Sequence, residues 1–188
     1  NRVLLLSRYR CQRLNANRAS IKRISYSLKN SSVSSLKAQL EPNGNGLFQL
    51  KGDRDDCHFI LTAEVSNIFS HNGRLRKIHN LIFAPSFEVV EKINARLGSL
   101  GKLASDGRPI FGFPARDIVK MVMDISPDCL IVPAHAWTPW FSIFGANSGF
   151  DSIEECFGDE ARHIYAIETG LSSNPEMNWR CSSLDRIT

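Results

Sequence analysis

At 188 residues and 21.1 kDa, with 43% hydrophobic and 22% charged residues, the chain has material for one domain with a real core, and its composition is neither disordered nor fibrous. No apolar run approaches the roughly eighteen residues that cross a bilayer, which points away from a membrane protein. Five widely spaced cysteines (Cys11, Cys57, Cys129, Cys156, Cys181) without a C-x-x-C pair argue against a disulfide framework or a cysteine zinc site, and for a reducing, cytoplasmic setting.

The net charge of +4 belongs wholly to the beginning of the chain. Residues 1–40 hold nine Lys/Arg and no acid, whereas the remaining 148 carry 14 basic and 19 acidic residues. A basic nucleic-acid arm, a transit-type leader and non-native sequence all fit that composition. The serine-rich run through "SLKNSSVSSLKAQL" has little apolar periodicity, so residues 1–45 read as a poorly ordered or non-native segment. The turn cluster "EPNGNG" (41–46) marks a boundary, and 46–188 form the domain.

Within that domain "HFILT" (58–62) predicts a buried strand ending near Glu64. Asn72-Gly73 is a hairpin-type pair, and "KIHNLIFAP" (77–85) is a second strand. "SFEVVEKINARLG" (86–98) predicts a helix, with Ser86 as N-cap and Gly98 as terminator. A glycine- and proline-punctuated loop (105–113) leads into a helix over 114–125, with Ile118, Met121, Val122 and Ile125 on one face. "CLIVPA" (129–134) is a buried strand, "DSIEECF" (151–157) opens a short helix, and "IYAIE" (164–168) is a further strand. Strands alternating with helices predict an α/β fold with a parallel sheet, open or closed into a barrel.

In such folds the residues just past the carboxyl ends of strands face the ligand crevice. Glu64, His135 and Glu168 stand at three such ends, and the parity of His79 aims it toward the same place. Neutral imidazoles and a carboxylate are suitable donors for zinc, manganese or iron, and a polar network without metal is the alternative. Trp137, Trp140, Phe141 and Phe144 form either a wall for a planar ligand or packing under a long loop. Ser172, Ser173, Asn174 and Arg180, beside Trp179, are donors suited to phosphate or base edges, and equally to a capped turn.

The segments "ILTAEVSNIFSHNGRLRKIHNLIFAPSFEVVEKINARLG", "PAHAWTPWFS", "SGFDSIEECF" and "ETGLSSNPEMNWR" closely resemble PHP-domain proteins of the endonuclease Q type, over about residues 57–188. The resemblance implies a distorted TIM-like (PHP) barrel, here incomplete at both ends. It also implies a cluster of divalent metal ions, zinc or manganese, that hydrolyses phosphoesters. The implied substrate is DNA carrying deaminated bases or abasic sites, cut on the 5′ side. On the matching positions Glu64, His79 and His135 are metal ligands, with Glu64 and His135 at the chemistry. Trp137, Thr138 and Trp140, and Glu168, Ser172, Ser173, Asn174, Trp179 and Arg180, fall in segments that would contact substrate.

The chain also departs from that family. "LLLSRYR" places Leu4 and Leu6 where family members carry histidines in "HIHSRYS"; no "TGDFTHP"-like segment precedes "SSLKAQLEP"; and Ile187-Thr188 come before any "SDAH" motif. The expectation is a fragment with a partial ligand set and impaired activity. Two other readings are a PHP-type phosphoesterase acting on a small monoester and a metal-poor nucleic-acid-binding remnant. No G-x-x-x-x-G-K-[ST] loop is present to hold ATP phosphates.

Overall fold

The computed structural model describes residues 5–11, 32–52, 57–103, 108–170 and 172–187. Most of the predicted poorly ordered segment, Leu4 and the start of the glycine- and proline-rich loop therefore lie outside the described residues. The elements run β1 (Leu5–Cys11), α1 (Val33–Gln39), β2 (Leu40–Pro42), β3 (Leu47–Leu50), β4 (Cys57–His71) and β5 (Arg74–Ala84). Next come α2 (Phe87–Gly98), β6 (Ile110–Phe111), α3 (Ala115–Ile125) and β7 (Leu130–Pro133). The short helices α4 (Ile153–Phe157) and α5 (Pro175–Trp179) follow, with 3-10 turns at Gly158–His163 and Ser182–Leu184. No described helix is long and apolar enough to cross a membrane.

The hairpin of β4 and β5 organises everything else. Asn72 and Gly73 both take positive φ, 50° and 71°, as a two-residue turn matched to the strand twist requires. The turn fixes an antiparallel register running from His71 opposite Arg74 to Leu61 opposite Ala84. Side chains alternate, so the hairpin has two distinct faces. Leu61, Val65, Ile78 and Ile82 point to one face and are buried. Thr62, Glu64, Ser66 and His79 belong to the other.

Helices cover the apolar face. Ser86 caps α2, its Oγ accepting from the Val89 amide at 3.4 Å. Phe87, Val90, Ile93 and Leu97 then form the buried stripe. In α3 the buried residues are Ala115, Ile118, Val119 and Val122, so the predicted face was rotated: Met121 and Ile125 are only partly buried. Full burial of side chains this size contributes roughly 1.5–3 kcal/mol each. Leu36 of α1 and Leu40 of β2 join the same core, and β2 and β3 pair across the "NGNG" turn.

The expected TIM-like barrel is not formed. The described strands make an open seven-stranded sheet in the order β2-β3-β4-β5-β7, with β1 and β6 also pairing with β4. Every strand pairing except β4–β6 is antiparallel. Alternating strands and helices suggested a parallel sheet, but the tight Asn72-Gly73 turn makes β4 and β5 antiparallel neighbours, and β7 then returns antiparallel to β5. Nor does "IYAIE" form a strand. It makes one parallel bridge, Ile164 to Ile131, and two backbone bonds at Glu168, whose N donates to Pro133 O at 2.9 Å and whose O accepts from Ala136 N at 2.8 Å.

Candidate metal centre

Glu64 lies in the middle of β4, seven residues before its end, and not at a strand terminus as expected. Its partner across the hairpin is Leu81, and Ser66, two residues on, faces His79. Glu64 and His79 therefore share the polar face as diagonal neighbours. His135 arrives from a different direction, two residues beyond β7. The Ala134 amide bonds to His79 O at 2.9 Å, which ties the start of the loop to β5 directly at the histidine.

The loop that follows is held in strained backbone. His135 has φ 33° and Phe141 φ 61°, a region that non-glycine residues seldom occupy. The strain has visible results. Phe141 O accepts from His79 N at 3.0 Å, and its ring stacks on the His79 ring at 4.6 Å and 27°. Two glycines permit the loop to close this tightly. A Cβ on Gly145 would come within 2.9 Å of Pro139 O, and one on Gly149 within 2.7 Å of Ile143 O.

Among the described residues one group of acid and imidazole side chains is arranged as metal ligands are: Glu64, His79 and His135, each offering a donor atom, all within 4.8 Å of one another. His79 Nδ1 is 3.2 Å from Glu64 Oε1 and 3.1 Å from His135 Nε2. Ligands at ~2.1 Å from a shared tetrahedral ion would stand ~3.4 Å apart, close to the two separations that include His79. Glu64 Oε1 is buried and faces cationic or imidazole nitrogens, His79 Nδ1 at 3.2 Å and Arg108 Nε at 2.7 Å. A buried carboxylate oxygen in such surroundings suits a metal. A single proton on His79 Nδ1, shared between Glu64 and His135, holds the same geometry without one.

Electrostatics favours the ligand forms. Burial works against the Glu64 carboxylate, but hydrogen bonds from His79 and Arg108 and their charges outweigh it, lowering the pKa to about 2. Burial, then the neighbouring His79, lowers the pKa of His135 and keeps its imidazole neutral, as coordination requires. Glu168 sits behind His135. Its Oε2 accepts from the His135 amide at 2.7 Å and lies 3.6 Å from His135 Nδ1. A carboxylate charge on the far side of an imidazole favours the proton on Nδ1, leaving Nε2 to face the site.

The other predicted residues separate into two groups. Trp137 is tied into the loop: its Nε1 donates to Asn178 Oδ1 at 2.8 Å, its amide to Ser172 Oγ at 3.3 Å, and its ring packs on Phe144. Thr138 Oγ1 donates to His135 O and Trp140 O, at 3.2 and 2.8 Å. Ser173 engages Asn178, and Asn174 caps α5 by accepting from the Met177 amide at 2.9 Å. These groups build the loop. Trp140, by contrast, is 50% exposed with Lys77 Nζ 4.8 Å above its ring, Trp179 is 81% exposed, and Arg180 is exposed.

Sequence reasoning missed Arg108, whose Nε lies 2.7 Å from Glu64 Oε1, and the buried hydroxyls of Thr62 and Ser66 flanking Glu64 on the same face. Their period-two spacing with Glu64 was the available signal. It was hidden by ending the strand at Glu64. Nothing in the sequence spacing pointed to Arg108.

No protein-family model and no curated protein matches the chain. Among solved structures, it is similar to the lesion-specific endonuclease PfuEndoQ from Pyrococcus furiosus, with 30% identity, a TM-score of 0.58 and coverage of 77% of this chain. The matched region is 32% of that endonuclease, so this chain spans about a third of its length.

Proposed function

We propose that this chain carries part of the catalytic face of a metal-dependent phosphodiesterase acting on DNA, with Glu64, His79 and His135 holding a zinc or manganese ion. The convergence of these three residues on the polar face of the β4–β5 hairpin carries the reading, together with similarity to a lesion-specific endonuclease. A divalent cation bound there supplies Lewis acidity toward a phosphoryl oxygen and hydroxide at neutral pH. The chain's own residues do the rest. Glu64 offers an anion at any physiological pH, His135 a neutral imidazole, and Glu168 the orientation of that ring. Phe141 stacks on the His79 ring and limits its rotation.

The finer reading is cleavage 5′ of a deaminated base or an abasic site. Trp140 and the Lys77 ammonium beside it support it, since an exposed indole with an adjacent cation suits an unstacked nucleotide and its phosphate. Trp179 and Arg180 present further exposed contacts. One three-donor group among the described residues suits one cation. Phosphoesterases that clamp both attacking and leaving oxygens use two. The rate is therefore expected to be low.

The test is incubation with duplexes containing one uracil, hypoxanthine or abasic site, plus manganese or zinc, with the cut mapped at nucleotide resolution. A 5′ cut abolished by His135→Ala supports the reading. Cutting that ignores that substitution, or binding with no cut at any metal concentration, overturns it. Binding that survives chelation and weakens steadily with salt would identify a nucleic-acid-binding module instead.

A further inference from the structure

The carboxylate that a cation needs is already held by a cation. Arg108 Nε stands 2.7 Å from Glu64 Oε1, closer than His79 Nδ1 at 3.2 Å, and both contact the same oxygen. We propose that Arg108 is a resident competitor at the metal site: its guanidinium neutralises Glu64 until a divalent ion binds, and then withdraws, so that loading exchanges one cation for another. The inference rests on the metal-site reading above and adds a control on its occupancy.

Three observations support exchange over a static pair. The first is accessibility: the Arg108 side chain is 47% exposed and that of Glu64 13%. The guanidinium can return to water at little desolvation cost, and the strand-borne carboxylate cannot. The second is the tether. Pro109 O accepts from the Ser66 amide at 2.9 Å, pinning the backbone one residue beyond Arg108 to β4. Side-chain rotation alone is then enough to clear Glu64, with no loop movement. The third is the fixity of everything else. His79 is stacked on Phe141, and the His135 amide is bonded to Glu168, so the two imidazoles are fixed by contacts outside the Arg108–Glu64 pair.

Charge gives the direction. Glu64 and Arg108 together are neutral, and the His135 imidazole, its pKa lowered, adds no charge beside them. A divalent ion entering beside an unmoved guanidinium would meet repulsion at short range in a partly buried place, where screening is weak. A purely supportive arginine would behave in the opposite way. By holding Glu64 in a ligand-ready rotamer it would raise metal affinity, and its removal would lower it. The sign of the change therefore decides.

The experiment is calorimetric titration of the full chain with zinc and with manganese, comparing wild type, Arg108→Gln, Arg108→Lys and His135→Ala. Exchange predicts that Arg108→Gln binds about tenfold tighter or more, with Arg108→Lys between it and wild type. It also predicts a lower Tm for metal-free Arg108→Gln and a larger rise in Tm on adding metal. Equal or weaker binding by Arg108→Gln, with binding still lost in His135→Ala, overturns exchange and leaves the metal site standing. Absence of His135-dependent binding in both wild type and Arg108→Gln overturns the metal site and the exchange with it. Should Arg108→Gln not fold, Arg108→Lys is read alone: tighter than wild type supports exchange, and equal or weaker overturns it.

Discussion

His79 Nδ1 and His135 Nε2 face each other at 3.1 Å although 56 residues separate them in the chain, with their rings nearly perpendicular. Two imidazoles so placed cannot both carry charge without repulsion. The lowered pKa of His135, caused first by burial and then by His79, is the expected response. His135 is thus held in a form able to offer a lone pair.

Acid stability follows from the directions of these shifts. His135 and Glu64 both have folded pKa values below their ordinary ones, so the unfolded chain binds the extra protons and stability is lost as pH falls. The His135 contribution is complete above its ordinary value of 6.5 and is lost as pH falls through the depressed one. That of Glu64 is complete above 4.5 and is lost as pH falls toward about 2. Its size is on the order of 3 kcal/mol. Urea midpoints measured between neutral and acid pH in the presence of a chelator should show both limbs, and Glu64→Gln should flatten the lower one.

Glu168→Gln should weaken cation binding by about 10–100-fold while leaving the fold intact, because it removes the negative charge behind the His135 ring but keeps an amide acceptor for the His135 amide. Calorimetric zinc titration measures this directly. Unchanged affinity would mean that Glu168 only braces the loop.

The tryptophans should divide by role. Trp137→Phe deletes the bond to Asn178 and should cost roughly 1–3 kcal/mol, because Asn178 Oδ1 loses its indole donor. Trp179→Ala touches an 81% exposed ring and should stay within about 0.5 kcal/mol of wild type. Chemical denaturation separates them. If DNA binds as proposed, Trp140→Ala and Trp179→Ala should weaken binding without affecting stability.

Gly149→Ala drives a methyl group into the Gly145 and Ile143 carbonyls and should open the loop that carries Phe141. A stability loss of about 2 kcal/mol or more is expected, within the range for overpacked sites. Metal affinity should fall with it, since His79 loses the ring stacked upon it. A variant as stable as wild type would show that the loop closes by other means.

Much of this was legible in the residues, and the failures share one cause. Ser86 capping a helix, Asn72-Gly73 turning a hairpin and the apolar run 130–133 all rest on local chemistry, and each appears where expected. Parallel pairing, a strand end at Glu64 and a strand at 164–168 depend on which segments become neighbours, which local pattern does not encode. Tyr165 illustrates the point. It reads as strand by propensity, yet it is 62% exposed because no further strand lies beside it among the described residues. The structure does bring Glu64, His79 and His135 within 4.8 Å of one another, because parity along β5 and position after β7 place His79 and His135 by local rules.

The division of β4 into an apolar face and a polar face makes the distant Asn72-Gly73 turn a determinant of chemistry. Inserting one residue between the strands would shift the pairing by a single position, sending Val65 toward His135 and Glu64 into the packing under α2 and α3. Natural variation at that exposed corner should accordingly preserve length far more strictly than identity. A tip that contacts no ligand would then be as intolerant of insertion as the ligands are of substitution.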